Sequence, residues 1–304
     1  MAANTHEETG KSIASRLKHR FVYGLIWLGG RRAAYLFLYI LAGVYSCFPS
    51  VVKKSSAYIS RRFSPKNKFQ FWKHTYLLNL TFGKTLVDRA ALGILGKTEV
   101  TSTQEERDLF IRLSGGKKGL IALTAHVGCW QMATYLMTHF LNVPVNVLYY
   151  RNPKDNDKTI AQHQGQKSPY TFINPAGELG GVVEMMSALW RGEVVCGMGD
   201  RVFGNEKNAV TVSFLGGKIR VPYSFYRLAS ATGAPIILVF CPWQECGRFE
   251  TWTFPVMEVP SLPPSKENYV RFAQQFAGAL EEFCIKYPYQ FFNYFDLWEN
   301  VWNQ

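Results

Sequence analysis

Acidic residues are almost missing from the first seventy positions. Twelve lysines and arginines fall there against Glu7 and Glu8, and the whole chain of 304 residues carries a formal net charge of +12. The rest of the chain is close to balanced. Charge this one-sided suggests an anionic partner for the amino-terminal part, either nucleic acid or anionic lipid. Paired cysteines are also missing. Cys47, Cys129, Cys196, Cys241, Cys246 and Cys284 form no Cys-x-x-Cys pair, and none sits at zinc-finger spacing from a histidine. No metal framework is expected, and the thiols read as small buried side chains in a reducing compartment. Glycine fingerprints for phosphate fail too. Gly115-Gly116-Lys117-Lys118 lacks phosphate-loop spacing, and Gly197-Met198-Gly199 has Val202 where a dinucleotide fingerprint places its third glycine. There is no internal repeat, and no cleavable signal peptide is evident, because the first apolar stretch comes late and lacks a clear small-residue cleavage site. Apolar residues are plentiful: 47% hydrophobic content with 15% aromatic is ample for a core and argues against disorder.

Residues 1–13 are polar and read as a flexible tail. Residues 33–52 then run twenty positions without a charge between Arg31-Arg32 and Lys53-Lys54. That is about the length needed to span a bilayer. Tyr35, Tyr39, Tyr45, Ser46 and Pro49 dilute its hydrophobicity, and basic pairs at both ends set no orientation. A segment lying in the cytoplasmic leaflet fits both flanks better, with a buried helix of a soluble protein as the alternative. A nucleic-acid arm would not need such a run, so the expected partner is membrane lipid and not nucleic acid. The chain divides into a basic and apolar membrane-anchoring segment over 1–55 and a larger domain over 56–304.

Residues 60–67 read as a basic connector and 69–95 as a long aromatic-rich helix in which Gly83 and Gly93 are candidate breaks. Thr103 and Glu106 form a capping-box pattern, opening a helix that stops at Gly115-Gly116. Alternation of strand and helix follows. Strands are expected over 120–124, 145–150, 170–173, 193–198 and 235–240, with an outer strand over 251–259. Short strands over 209–215 and 218–221 flank a turn at Gly216-Gly217. Helices are expected over 132–140, 179–190, 222–232 and 266–285. This order predicts an α/β fold with a mixed central sheet flanked by helices, preceded by an N-terminal membrane-associated helical segment.

The run 120–131, Leu-Ile-Ala-Leu-Thr-Ala-His-Val-Gly-Cys-Trp-Gln, organises the rest. It places His126 at the carboxyl end of a strand and near the start of a helix. Ligands bind at that edge of an open α/β sheet, and a helix start stabilises negative charge. Alone, His126 would read as a core histidine capping the helix. Arg151, however, ends the strand 145–150, and Asp200-Arg201 follow the strand 193–198, so polar groups gather on one sheet edge if the strands are parallel. Cys129 shares a helical face with His126 but nothing activates it, and it reads as a packed thiol.

Several blocks of the chain resemble a known family. His126-Val127-Gly128-Cys129-Trp130-Gln131 resembles the His-x4-Asp/Glu motif of the lysophospholipid acyltransferase superfamily, in particular its lipid A biosynthesis (lauroyl/myristoyl) acyltransferase-like branch, where the form is His-Phe/Leu-Gly-Asn-Trp-Glu. Tyr150-Arg151, Gly199-Asp200-Arg201, Phe214-Leu215-Gly216, the stretch 222–235 ending in Thr-Gly-Ala-Pro, and Tyr287-Pro288-x-Gln290 resemble its further blocks in the right order, from about residue 20 to the carboxyl terminus. The resemblance implies a membrane-associated enzyme at the cytoplasmic face of the bacterial inner membrane, peripheral or anchored by a single segment. It would move a fatty acyl group from an acyl carrier protein or coenzyme A thioester to a lipid or glycolipid acceptor, with no metal and no further cofactor. His126 would be the general base. Gln131 stands where the family has an acid; it can orient the ring but supplies no charge. Gly128, Trp130, Arg151, Asp200, Arg201, Phe214 and Gly216 would form the substrate site. In it Arg151 and Arg201 would take an anionic group, and Asp200 would hold an arginine or support His126. The missing acid leaves a second reading open, a catalytically impaired homologue that binds lipid or scaffolds a complex. A peripheral adaptor acting through the basic amino terminus alone does not explain the ordered sheet-edge residues.

Overall fold

A computed structural model describes residues 3–95, 99–149, 169–202 and 208–298. Three helical segments come first: α1 (Ala3–Tyr45), kinked at Gly30 where φ is 63°, α2 (Pro49–Phe63) and α3 (Lys68–Leu95). Residues 3–13, expected as a flexible tail, belong to α1. The uncharged run 33–52 is not one element. α1 ends at Tyr45 and α2 opens at Pro49, whose missing N–H costs nothing at a first helical position. α2 continues through Phe63, so the connector before α3 is shorter than expected. α3 passes unbroken through Gly83, where a Cβ would lie 3.0 Å from Leu38 Cδ2 of α1. The glycine lets the two helices approach, and that packing outweighs a helix penalty of about 1 kcal/mol.

α1 turns one face to α3, burying Ile26, Ala34 and Ala42, and leaves Trp27, Leu28, Leu36, Ile40 and Val44 exposed. Asp88 of α3 ties the pair to the rest of the protein. It is fully buried, accepts from the Tyr35 hydroxyl and from Trp243 Nε1 at 2.6 Å, and lies 3.3 Å from Arg31 Nε. Burial pushes its carboxyl above the usual range despite these partners.

The domain that follows is built on ten strands among the described residues: β1 (Glu99–Thr101), β2 (Leu120–Thr124), β3 (Val145–Leu148), β4 (Thr171–Ile173), β5 (Val194–Met198), β6 (Ala209–Phe214), β7 (Gly217–Pro222), β8 (Ile236–Phe240), β9 (Arg248–Glu250) and β10 (Trp252–Thr253). Six form the central sheet in the order β10-β8-β2-β5-β3-β4, all parallel except β10. Helices α4 (Gln104–Ser114), α5 (Trp130–Phe140), α6 (Val182–Trp190), α7 (Ser224–Thr232) and α8 (Val270–Lys286) accompany it. Burial on both faces explains why β2 and β8 read as unbroken apolar runs. Alternate residues of β2 serve two cores: Ile121 and Leu123 pack with Phe225 and Phe276, while Leu120 and Ala122 pack with Phe110 and Met132. The Thr103–Glu106 capping box forms as expected, with both reciprocal bonds at 3.1 Å.

Two expectations shift. The outer strand of 251–259 shrinks to β10, because Pro255 and Pro260 cannot donate to a ladder. The turn of the β6–β7 hairpin is Leu215-Gly216, both at positive φ (45° and 70°), the geometry that matches strand twist in a two-residue hairpin.

Candidate active site

Sheet register brings the first two site residues together. Thr124 of β2 pairs with Met198 of β5, and the Gly199 N–H donates to Thr124 O at 2.8 Å. Two residues beyond each paired position come His126 and Asp200, so adjacent parallel strands deliver both side chains to one edge. Asp200 is fully buried and accepts from the His126 backbone N–H at 3.0 Å, faces His126 Nδ1 at 3.0 Å, and accepts from Asn293 Nδ2 at 2.7 Å.

Burial alone would raise the Asp200 carboxyl. The His126 charge and hydrogen bond, the Asn293 bond and the Arg201 charge outweigh it and hold the group down at about 2. Asp200 is therefore ionised at neutral pH and can only accept hydrogen bonds. The proton of a neutral His126 ring must then sit on Nδ1, which leaves the lone pair on Nε2, at the ring edge away from Asp200.

His126 borders a cavity of about 260 Å³, lined also by Phe82, Thr85, Leu86, Arg89, Val127, Gly128, Cys129, Trp130, Gln131, Arg201 and Phe292. One wall is α3, where Phe82, Thr85, Leu86 and Arg89 follow the three- and four-residue spacing of a single helix face. The opposite wall is the turn after β2. Gly128 there has φ +52°, and a Cβ would lie 2.2 Å from Cys241 O, so no other residue fits this close approach. α5 begins at Trp130, two residues before the expected start, and its N-cap Cys129 offers no side-chain cap. The carboxyl-terminal strip lies along the same turn. Gly128 N–H donates to Gln290 O at 2.9 Å, Phe292 N–H to His126 O at 2.8 Å, and the Gln290 amide bonds Trp243 in both directions at 2.7 Å.

The expected site residues separate into groups. His126, Gly128, Trp130, Gln131 and Arg201 line the cavity, and Asp200 lies behind His126. Of the two roles open to Asp200, the geometry gives it the histidine. Gln131 does not hold the ring: its Oε1 accepts from Cys129 Sγ at 3.5 Å, and the imidazole bond goes to Asp200 instead. Arg201 donates from Nε to Asn293 Oδ1 at 2.5 Å and from Nη2 to Phe292 O at 3.3 Å. Phe214 and Gly216 are not in the cavity. Phe214 is buried in a stack with Trp298, and Gly216 sits at the exposed hairpin tip. Tyr150 and Arg151 lie outside the described residues. Among the described residues no group of three His, Cys, Asp or Glu side chains stands ready to hold a metal.

Thr85, Arg89 and Phe292 of the cavity escaped the sequence reading, and so did the residue behind Asp200. Arg89 and Thr85 lie on a helix whose aromatic content drew attention to packing. Asn293 is the polar exception in the aromatic run 291–295, and that contrast was its only local signal.

The family model of the bacterial lipid A biosynthesis acyltransferases matches residues 81–299, beginning beside Phe82 of the cavity wall. The chain belongs to that family. The match takes in both strands that carry His126 and Asp200 and the carboxyl-terminal strip that carries Asn293. A search of curated proteins finds no match. Membership implies an acyl donor and a lipid acceptor as substrates.

Proposed function

We propose that the protein transfers a fatty acyl group from an acyl carrier protein or coenzyme A thioester to a lipid or glycolipid acceptor, with His126 as general base and Asp200 as its positioning carboxylate. The observation that carries this is the His126–Asp200 pair on the wall of a cavity, the carboxylate buried and ionised and Nε2 turned away from it. Nε2 takes the proton of the acceptor hydroxyl or amine as that atom attacks the thioester carbonyl carbon. Asp200 stabilises the imidazolium that forms. The first-turn amides of α5 favour the oxyanion of the tetrahedral intermediate. Collapse breaks the carbon–sulfur bond, the thiolate takes the proton from His126, and acylated lipid and free thiol leave.

The enzyme works at a membrane surface in this reading. Tyr23–Tyr45 is long and apolar enough to cross a bilayer, with a mean hydropathy of 1.3. It is also paired along one face with α3, the helix that walls the cavity. A segment lying in the leaflet with its free face in lipid brings the cavity to the acceptor. The test is mass spectrometry of lipids from cells carrying the wild-type protein or His126→Ala, together with transfer by the purified proteins. Loss of one acylated lipid and of transfer in the variant is expected. Identical lipid profiles, with transfer equally absent from both purified proteins, refute the enzymatic reading and favour the lipid-binding homologue.

A further inference from the structure

We infer that Asp88 and Trp243 are positioning residues of the active site, through which the order of the turn carrying His126 depends on the seat of α1. The effect on turnover rests on the acyl-transfer reading above. Asp88 is the first acidic residue after Glu8, and it is fully buried. Donors from α1 and from the segment after β8 converge on it: Tyr35 and Arg31 from the one, Trp243 Nε1 from the other. Lys84 stands one turn before it on α3. Lys84 Nζ donates to Tyr39 Oη at 3.0 Å and lies 5.4, 4.8 and 5.7 Å from the ring centres of Tyr35, Tyr39 and Trp243. The four-residue spacings Tyr35–Tyr39 and Lys84–Asp88 thus interlock two helix faces around one indole. Gly247 is shaped for the same contact. It has φ +74°, and a Cβ there would lie 2.8 Å from Arg31 Cζ and 3.1 Å from Asp88 Oδ1.

Holding two helices together does not require this chemistry. A buried ionic cluster is often no more stabilising than packed apolar side chains, and what it supplies here is one specified arrangement of the segments that meet. The path then leads from Trp243 to the site. The Gln290 side-chain amide holds the Trp243 backbone N–H and carbonyl, each at 2.7 Å. Gln290 O accepts from Gly128 N–H at 2.9 Å, and Cys241 O accepts from Cys129 N–H at 2.8 Å. Gly128 and Cys129 come directly after His126-Val127 and lead into α5. An unbroken run of hydrogen bonds therefore joins α1 to this turn, from Tyr35 through Asp88, Trp243 and Gln290 to Gly128. Every member is buried or half-buried, where a displaced donor costs most. α1 bends at Gly30, next to Arg31, and keeps its other face exposed. The helix that offers its free face to lipid is thus the helix that holds the indole, and loosening it frees Trp243 and with it the turn.

The test uses the full-length protein in detergent micelles with two conservative changes, Tyr35→Phe and Trp243→Phe, alone and together. Residue-resolved amide hydrogen exchange reads the turn directly and needs no activity. Tyr35→Phe should speed exchange of the Gly128 and Cys129 amides about tenfold, the order set by one hydrogen bond to a charged partner, while the amides of β5 keep wild-type rates. Trp243→Phe should do at least as much, and the double variant should exceed it by no more than about twofold, because both changes break one path. Transfer from lauroyl-coenzyme A to lysophosphatidic acid, measured well below each Tm, should show kcat about tenfold lower in each variant and KM within about twofold. Neither residue lines the cavity, so binding is not the step affected. A merely structural tie would lower Tm and leave both kcat per folded molecule and exchange at the turn unchanged.

Wild-type exchange at Gly128 and Cys129 in Tyr35→Phe, or separate factors that multiply in the double variant, overturns the inference. Wild-type kcat in both single variants also overturns it, while the acyl-transfer reading stands. If wild type neither transfers nor cleaves the thioester, the acyl-transfer reading is what fails, and exchange alone decides the coupling. Should Trp243→Phe not fold, Asp88→Asn takes its place in the same comparisons.

Discussion

Replacing Asp200 by asparagine tests the centre of the mechanism with little change in volume. The carboxylate receives three donors, the His126 backbone N–H, His126 Nδ1–H and Asn293 Nδ2, at 2.7–3.0 Å. An amide offers one accepting oxygen and one NH2 group. The NH2 would confront a donor, and the least costly escape is to move the imidazole proton to Nε2, which removes that nitrogen's lone pair. The charge that steadies the imidazolium is lost as well. The same substitution in the serine-protease triad costs about four powers of ten in turnover, so Asp200→Asn should lower kcat by about 10³–10⁴. KM should move only a few-fold, because Asp200 does not line the cavity. Single-turnover transfer from a radiolabelled thioester measures both.

Acid unfolding gives a second readout. The folded carboxyl is held at about 2, below its unfolded value, so the folded state binds this proton less tightly. Its contribution is complete above the unfolded value of about 3.9 and is lost as pH falls from about 4 toward 2, amounting to about 2 kcal/mol. Asp200→Asn should lack that component. Retention of kcat within tenfold by Asp200→Asn, or an equal loss in Gln131→Ala, would refute the assignment of Asp200.

Asn293→Ala should lower kcat by about ten- to a hundredfold, since it removes a bond of about 1–3 kcal/mol to an ionised partner and frees Arg201 Nε. Restoration by Asn293→Leu, which fills the volume without the amide, would point to simple volume loss and count against that role. On α1, the triple change Leu28→Asp, Leu36→Asp and Ile40→Asp should release the protein from anionic vesicles, because each residue is 68–78% exposed and burying each in lipid is worth about 1.5–3 kcal/mol. Raised salt alone should only weaken binding, since buried apolar area is not screened. Vesicle flotation of the triple variant at wild-type levels would sink the leaflet-bound arrangement.

The strands were legible where burial on both faces forces an unbroken apolar run, as in β2, β5 and β8. The capping box of α4 was legible because it is local chemistry. Boundaries failed where tertiary contact decided the outcome. Gly83 reads as a helix break until Leu38 lies against it, and the uncharged run 33–52 hides a helix end that only Pro49 marks. In the site, each residue adjoining a strand end could be found, because the topology of a parallel sheet collects such residues. Asn293 and Arg89 could not, since a residue 93 positions from its partner Asp200 and one on a remote helix leave no spacing signal.

The departure at Gln131 acquires a different weight once the sheet is considered. An acid five residues after the histidine would reach the ring from the first turn of α5, and its aim would depend on side-chain rotamers at a helix start. Asp200 comes instead from the neighbouring strand, at a place set by the Thr124–Met198 register and the Gly199–Thr124 backbone bond. Two bonds to one residue, one of them to its backbone N–H, fix the histidine and its carboxylate as a unit. The impaired-homologue reading depended on a missing negative charge beside His126. That charge is present, buried, and held ionised by the histidine it faces. A second carboxylate at position 131 would then add a like charge on the cavity wall beside the ring that Asp200 already serves. On this argument glutamine is the residue suited to position 131. Gln131→Glu should therefore leave kcat within a few-fold of wild type in the same single-turnover assay, and a large gain in kcat would show that the charge of Asp200 does not suffice.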